Sequence, residues 1–128
     1  MNVLDENIDF FTRQQLLQWR FHFRQIGLEI GHSGMKDFDE IIPLLHSLRR
    51  PTLLTRDDDF YHPQLRHANY CLAYFDIAIT ETAEYIRQFY RHPLFRTQAK
   101  RMGKVVRVHE QGITYWEVNA PGANRVIW

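Results

Sequence analysis

The chain has 128 residues, which fits one domain and leaves little room for two. Apolar residues make up 45% of it and charged residues 24%, ordinary globular values with which the chain can bury a core and need not be disordered. Basic and acidic side chains number 16 and 15, a net charge of +1, so bulk charge neither demands nor excludes a nucleic-acid partner and the placement of charges decides.

The start, Met1-Asn2-Val3-Leu4-Asp5, has no basic n-region and no apolar h-region, so no signal peptide is expected. No apolar stretch approaches the ~20 residues of a membrane span. A cytoplasmic protein with no membrane partner is the expectation. The single cysteine, Cys71, lies in the apolar run Tyr70 to Phe75 and reads as a buried, inert thiol.

Val3-Leu4 is a brief buried strand ending in Asp5. A long helix is expected from about Asp9 to Gln25, with Phe10, Phe11, Leu16, Leu17 and Trp19 on one broad face, widened by Phe21 and Phe23. Asp9 or Asn7 can cap its start and Gly27 can end it. Residues 27–31 read as a short strand between glycines, followed by a loop over 32–36. A second helix is expected to open near Asp39 and to run through Leu48. Pro43 is tolerable only in its first turn.

Pro51 to Thr55 is the clearest strand, and Arg56-Asp57-Asp58-Asp59 follows it directly. Tyr70 to Phe75 is another strand. Ile79 to Tyr90 is expected to be helical, capped by Thr80 or Thr82. Lys104 to His109 and Ile113 to Val118 flank Gln111-Gly112 and read as a β-hairpin. The tail from Ala120 to Asn124 has loop composition. Alternation of this kind predicts an α/β fold: one domain over 1–128, mainly a parallel sheet with helices on both faces and a C-terminal hairpin.

In open α/β sheets, ligands bind beyond the carboxyl ends of the strands. Two predicted strands end in acids, the first at Asp5 and the third at Asp57 and Asp59. Parallel strands bring these ends to one edge. Carboxylates brought close together must either hold protons or share a cation. Hard oxygen donors select Mg²⁺ or Mn²⁺, which bind phosphate and activate water. Phosphodiester hydrolysis is the reaction that suits such a site. The plainer reading of Asp57-Asp58-Asp59 is a solvated turn, and that of Asp39 is a helix N-cap.

Leu4-Asp5-Glu6-Asn7, then Asp39-Glu40-Ile41-Ile42, then Leu53-Leu54-Thr55-Arg56-Asp57-Asp58-Asp59-Phe60 together resemble PIN-like domains. The nearest pattern is a group of nucleases that begin with L-D-E-N and carry T-[KR]-D-x-D-F. The resemblance covers about residues 1–90 and leaves 91–128 as a C-terminal extension. It implies a Rossmann-like sheet and Mg²⁺- or Mn²⁺-dependent ribonuclease chemistry. Many relatives are toxins of toxin–antitoxin pairs, so RNA, an antitoxin protein and a second copy of the chain are the implied partners. By motif, Asp5 is the first acid, Asp39 or Glu40 the helix acid, Asp57 the third and Asp59 the fourth. Thr55 matches the hydroxyl residue that orders the third acid's loop. A catalytically inactive PIN-like module that binds RNA or protein is the alternative.

Arg96, Lys100 and Lys104 are spaced i,i+4, as a phosphate-contacting ridge or as a solvated helix face. His62 lies near the acids, suited to loop packing or substrate contact. Thr55, Arg56, His62, Arg96 and Lys100 are therefore the candidate substrate-contacting residues. Tyr61, Tyr70 and Tyr74 read as core aromatics or as base-stacking surfaces.

Overall fold

A computed structural model describes all 128 residues. Seven strands form one sheet in the order β2–β1–β3–β4–β5–β6–β7. They are β1 (Asn2–Leu4), β2 (Arg24–Gln25), β3 (Thr52–Thr55), β4 (Cys71–Phe75), β5 (Lys104–His109), β6 (Gly112–Glu117) and β7 (Asn124–Ile127). The first five are mutually parallel, and β6 and β7 add on antiparallel. The helices are α1 (Phe10–Gln18), α2 (Ile42–Ser47), α3 (Thr82–Arg91) and α4 (Gln98–Arg101). None is long and apolar enough to cross a membrane.

Strand side chains alternate between the two faces of a sheet. Val3, Leu53, Leu72 and Val105 point one way, into a cluster with Ile41 just before α2 and Leu45 within it. Leu4, Leu54, Ala73 and Val106 point the other way, against Leu16 of α1 and Ile86 and Phe89 of α3. Both faces of the central strands are thus buried, which is why these strands read as continuous apolar runs. Cys71 belongs to the second cluster, and burial pushes its thiol up to about 12, as an inert core residue requires.

The first helix is shorter than the sequence predicts. It ends at Gln18 because Arg20 adopts φ +61°. The Arg20 N–H then donates to Leu17 O and the Phe21 N–H to Leu16 O, each at 3.0 Å, which closes the helix as a Schellman motif. An arginine in place of the usual glycine conceals this stop from the sequence. Phe10 and Phe11 are 67% and 80% exposed, so the expected apolar face is carried inward by Leu16 alone among the named five, with Trp19 packed at its margin. Asp9 caps the helix as expected, accepting the Thr12 N–H at 3.0 Å.

The chain freed by this stop forms β2, two residues before the segment expected to be a strand. Residues 27–31 are instead a tight turn with one bridge, Ile26 to Ile30. The Gln25 carbonyl receives the N–H groups of Leu28, Glu29 and Ile30, and Gly27 takes φ +88°. The second helix opens two residues earlier than expected, as a π-helical turn over Asp37–Ile41, and Pro43 sits in the first turn of α2. A 3₁₀ turn over Ile79–Glu81 precedes α3. Neither Thr80 nor Thr82 caps that helix, and the Thr82 hydroxyl donates back to Ala78 O.

The hairpin forms as β5 and β6, and the tail contributes an additional edge strand, β7. The expected basic ridge does not form. Helix α4 has four residues and Lys104 already belongs to β5. Arg101 is buried instead, donating to Thr52 Oγ1 and Phe95 O beneath the Tyr90 ring.

Candidate metal centre

Strand order reverses between β1 and β3. From β1 the chain passes to β2 on one side, then returns to β3 on the other. Connections diverging this way leave a crevice at the carboxyl ends of the two strands, the general ligand position in open α/β sheets. Asp5 stands directly after β1, and Asp57 to Asp59 just after β3.

The carboxylates of Asp37, Asp57 and Asp59 each place an oxygen within 4.8 Å of the others. Asp57 and Asp59 come from the turn after β3 and Asp37 from the π-helical turn before α2. Asp5 lies beside them, buried at the end of β1. Its charge acts on Asp37, and the charge of Asp57 acts on it. None of the four forms an ion pair with a Lys, Arg or His.

Thr55 is the hub of this arrangement. Its buried hydroxyl donates to Asp5 Oδ2 at 2.6 Å and accepts the Asp57 N–H at 3.0 Å. Asp57 Oδ1 in turn accepts the Asp59 N–H at 2.9 Å, opening a 3₁₀ turn over Asp58–Phe60. The T-x-D-x-D spacing thereby becomes a chain of local hydrogen bonds that fixes two carboxylates at the strand end. Phe60 anchors the turn in the core.

A second set of bonds holds Asp5. Buried Gln25 donates to Asp5 O and Ile8 O at 3.1 and 3.0 Å, and its Oε1 receives Arg13. Arg13 is itself gripped by both oxygens of Glu29 at 3.0 and 2.7 Å. Glu6 ties the site to the loop that carries Asp37, accepting from Ser33 Oγ at 2.8 Å and the Gly34 N–H at 2.9 Å. These interactions fix the backbone that carries Asp5 and the loop that leads to Asp37.

Proton affinities divide the acids into two groups. Glu6, Glu29 and Glu40 fall below the ordinary range, chiefly through hydrogen bonds from Gly34, Arg13 and Lys36 respectively. Burial pushes the Asp5 carboxyl up, partly offset by the Thr55 hydroxyl and the Glu6 backbone, with the Asp57 charge raising it further. Asp37 is raised to about 6 by burial, by side-chain hydrogen bonding with Asp57, and by the charges of Asp57, Asp5 and Asp59. Acids with partners are structural, whereas the cluster lacks a countercharge.

The helix acid in this cluster is Asp37, where the sequence reading offers Asp39 or Glu40. Asp39 is exposed and stands outside the group. Glu40 bonds His32 Nε2 at 2.7 Å and the Lys36 N–H at 3.2 Å. The signal for Asp37 is its i,i+4 spacing to Ile41 and Leu45, the two fully buried residues of this segment, which puts all three on the inward side.

The candidate substrate contacts disperse. Thr55 is wholly buried, so it orders the acids and cannot meet a substrate. Arg56 turns toward the segment after β4 and donates to Ile77 O at 2.8 Å. His62 is exposed just before a 3₁₀ turn over Pro63–Leu65. Arg96 and Lys100 precede the start of β5, so they lie at the amino edge of the sheet, opposite the acids. Lys100 there bonds Pro93 O at 2.8 Å.

Asp37, Asp57 and Asp59, three carboxylates without a countercharge, form a set of oxygen donors that could hold a metal ion. No protein-family model matches the chain, and no curated protein or solved structure matches it.

Proposed function

We propose that the chain is a PIN-like ribonuclease that hydrolyses RNA phosphodiester bonds with Mg²⁺ or Mn²⁺. The observation that carries this reading is the meeting of Asp5, Asp37, Asp57 and Asp59 at a strand-order reversal with no basic partner among them. A structural cluster of acids would be expected to carry neutralising lysines or arginines.

Asp37, Asp57 and Asp59 would hold the cation. When bound, it supplies a Lewis acid for the phosphoryl oxygens and a lowered pKa for water. The chain's own contribution is placement. Thr55 orients Asp57 and Asp5 together, and Gln25 and Glu6 fix the two loops between which substrate would enter. Buried Asp5 adds negative charge behind the donor set and so favours cation retention. A toxin role, with an antitoxin and a second copy as partners, belongs to the same reading.

The test is cleavage of labelled single-stranded RNA with Mg²⁺ or Mn²⁺, comparing wild type with Asp57→Asn. Loss of a metal-binding carboxylate is expected to slow cleavage roughly a thousandfold, the rate equivalent of about 4 kcal/mol. Equal rates in the two proteins would end the enzyme reading. RNA bound but never cut would leave a binding module.

A further inference from the structure

The face of the sheet that carries the acids is covered over only part of its width. Helix α2 packs on it through Leu45, with Ile41 just before, over Val3, Leu53, Leu72 and Val105. Beyond β4 it opens. Strand pairing sets one rung across this opening: Thr55 opposite Tyr74, Tyr74 opposite Arg107, Arg107 opposite Thr114, and Thr114 opposite Arg125. Residues directly opposite one another project to the same face. The hydroxyl that orders Asp5 and Asp57 is therefore the first member of a line ending in two guanidinium groups. Four inter-strand steps span on the order of 19 Å.

The last three residues of this line, Arg107, Thr114 and Arg125, border a groove of about 660 Å³ together with Tyr61 and His109 among others. Tyr61 connects it to the acids, since it follows Asp59 by two residues. Its ring lies 6.4 Å from that of Tyr74 at 35°. Arg125 is exposed and forms no ion pair. Arg107 shares Asp76 at 2.7 Å, and both are partly exposed, so the pair is weak and can exchange partners.

An acidic centre repels a polyanion everywhere except at its cation. Substrate must then be drawn in by positive charge beside it, and the amino-edge residues Arg96 and Lys100 are on the wrong side of the molecule. Guanidinium groups along a groove with aromatic rings at one end make the combination that binds an unpaired strand: phosphates to the arginines, bases to the rings. We propose that the rung from Tyr74 to Arg125 is a track for single-stranded RNA leading to the acids. Tyr61 stacks a base next to the centre, and Arg107 and Arg125 receive phosphates farther along. The choice of RNA rests on the ribonuclease reading, whereas the track itself rests on the register.

The experiment is fluorescence anisotropy of a short labelled oligouridylate with the full chain, in EDTA so that nothing is cut. Arg125→Ala, at an exposed position, is expected to weaken binding roughly fivefold and lower the salt slope by about one, with Arg125→Lys restoring most of both. Tyr61→Ala is expected to weaken it roughly tenfold. Wild-type affinity in both alanine variants would overturn the track. So would binding of polyglutamate that depends on Arg125 when RNA binding does not, which would mark a surface for an acidic protein. RNA held through Arg125 but never cut with Mn²⁺ would keep the track and remove the nuclease. RNA cut by Arg125→Ala with wild-type KM would do the reverse.

Discussion

The two faces of the sheet begin from the same alternating strands and finish differently. On one, α1 and α3 meet an apolar layer that extends from Leu4 through Leu54, Ala73 and Val106 to Ile113 and Tyr115 of β6. On the other, the layer runs from Val3 through Leu53 and Leu72 to Val105, and toward the carboxyl ends of β4 and β5 it gives way to the row of Tyr74, Arg107, Thr114 and Arg125. The closed face carries stability. The half-covered one bears Asp5 and Thr55, both buried, at its carboxyl edge, with exposed Asp59 in the turn that follows. A site of this kind needs an element that stops short, because a helix over β5 to β7 would bury those arginines without partners.

The largest expected effect lies on the closed face. Phe89, fully buried against Phe75, Phe95 and Tyr90, is expected to cost about 3–5 kcal/mol of unfolding free energy as Phe89→Ala. Urea denaturation measures it, and a loss near zero would show that this layer does not hold the fold. Divalent-cation affinity should change little in the residual folded protein.

On the half-covered face, Thr55→Val keeps the shape and removes the hydroxyl between Asp5 and Asp57. Its stability cost is about 1–3 kcal/mol, because the Asp57 N–H loses its acceptor. Mn²⁺ affinity, read by titration calorimetry, is expected to fall roughly 10- to 100-fold, as for other groups that orient metal ligands. Unchanged affinity would mean that the hydroxyl does not organise the acids.

The smallest effect depends on pH. Asp37 titrates at about 6 in the folded protein, above the ordinary carboxyl value. A raised carboxyl pKa leaves the fold unpenalised below about pH 4, costs stability progressively between about pH 4 and 6, and holds that full cost above 6. In EDTA, Asp37→Asn should therefore melt higher than wild type at pH 7 and equal to it near pH 4. A difference independent of pH would show that Asp37 feels no repulsion. With Mn²⁺ present, wild type should regain stability at pH 7, and the metal should bind more weakly as pH falls through 6.

Some of this was legible along the chain. Strands β3 and β4 could be read because burial on both faces makes them continuous apolar runs, and helix α3 because its buried residues recur with the helical period. The acids after β3 were visible because short strands ending in Asp residues point at one edge. Arg20 gave no warning of the helix stop, since its left-handed backbone is set by the Schellman bonds and by the need of Arg24-Gln25 to join β1. Strand β7 was invisible, because Asn124, Arg125 and Ile127 are exposed and no alternation marks them. The basic ridge failed because spacing of i,i+4 means a common face only while the helix lasts, and α4 ends at Arg101.

What the amino-acid order determined alone is local: period, turn chemistry, and hydrogen bonds closed within a few residues, such as those from Thr55 to Asp57 to Asp59. Which distant groups meet was decided by tertiary structure. Strand order brings Asp5 beside the acids after β3, helix phase selects Asp37 over Asp39, and register aligns Arg107 and Arg125 with Thr55. Each of these depends on pairings between residues tens of positions apart, whose energies come from burial and backbone bonding and leave no trace in any one segment.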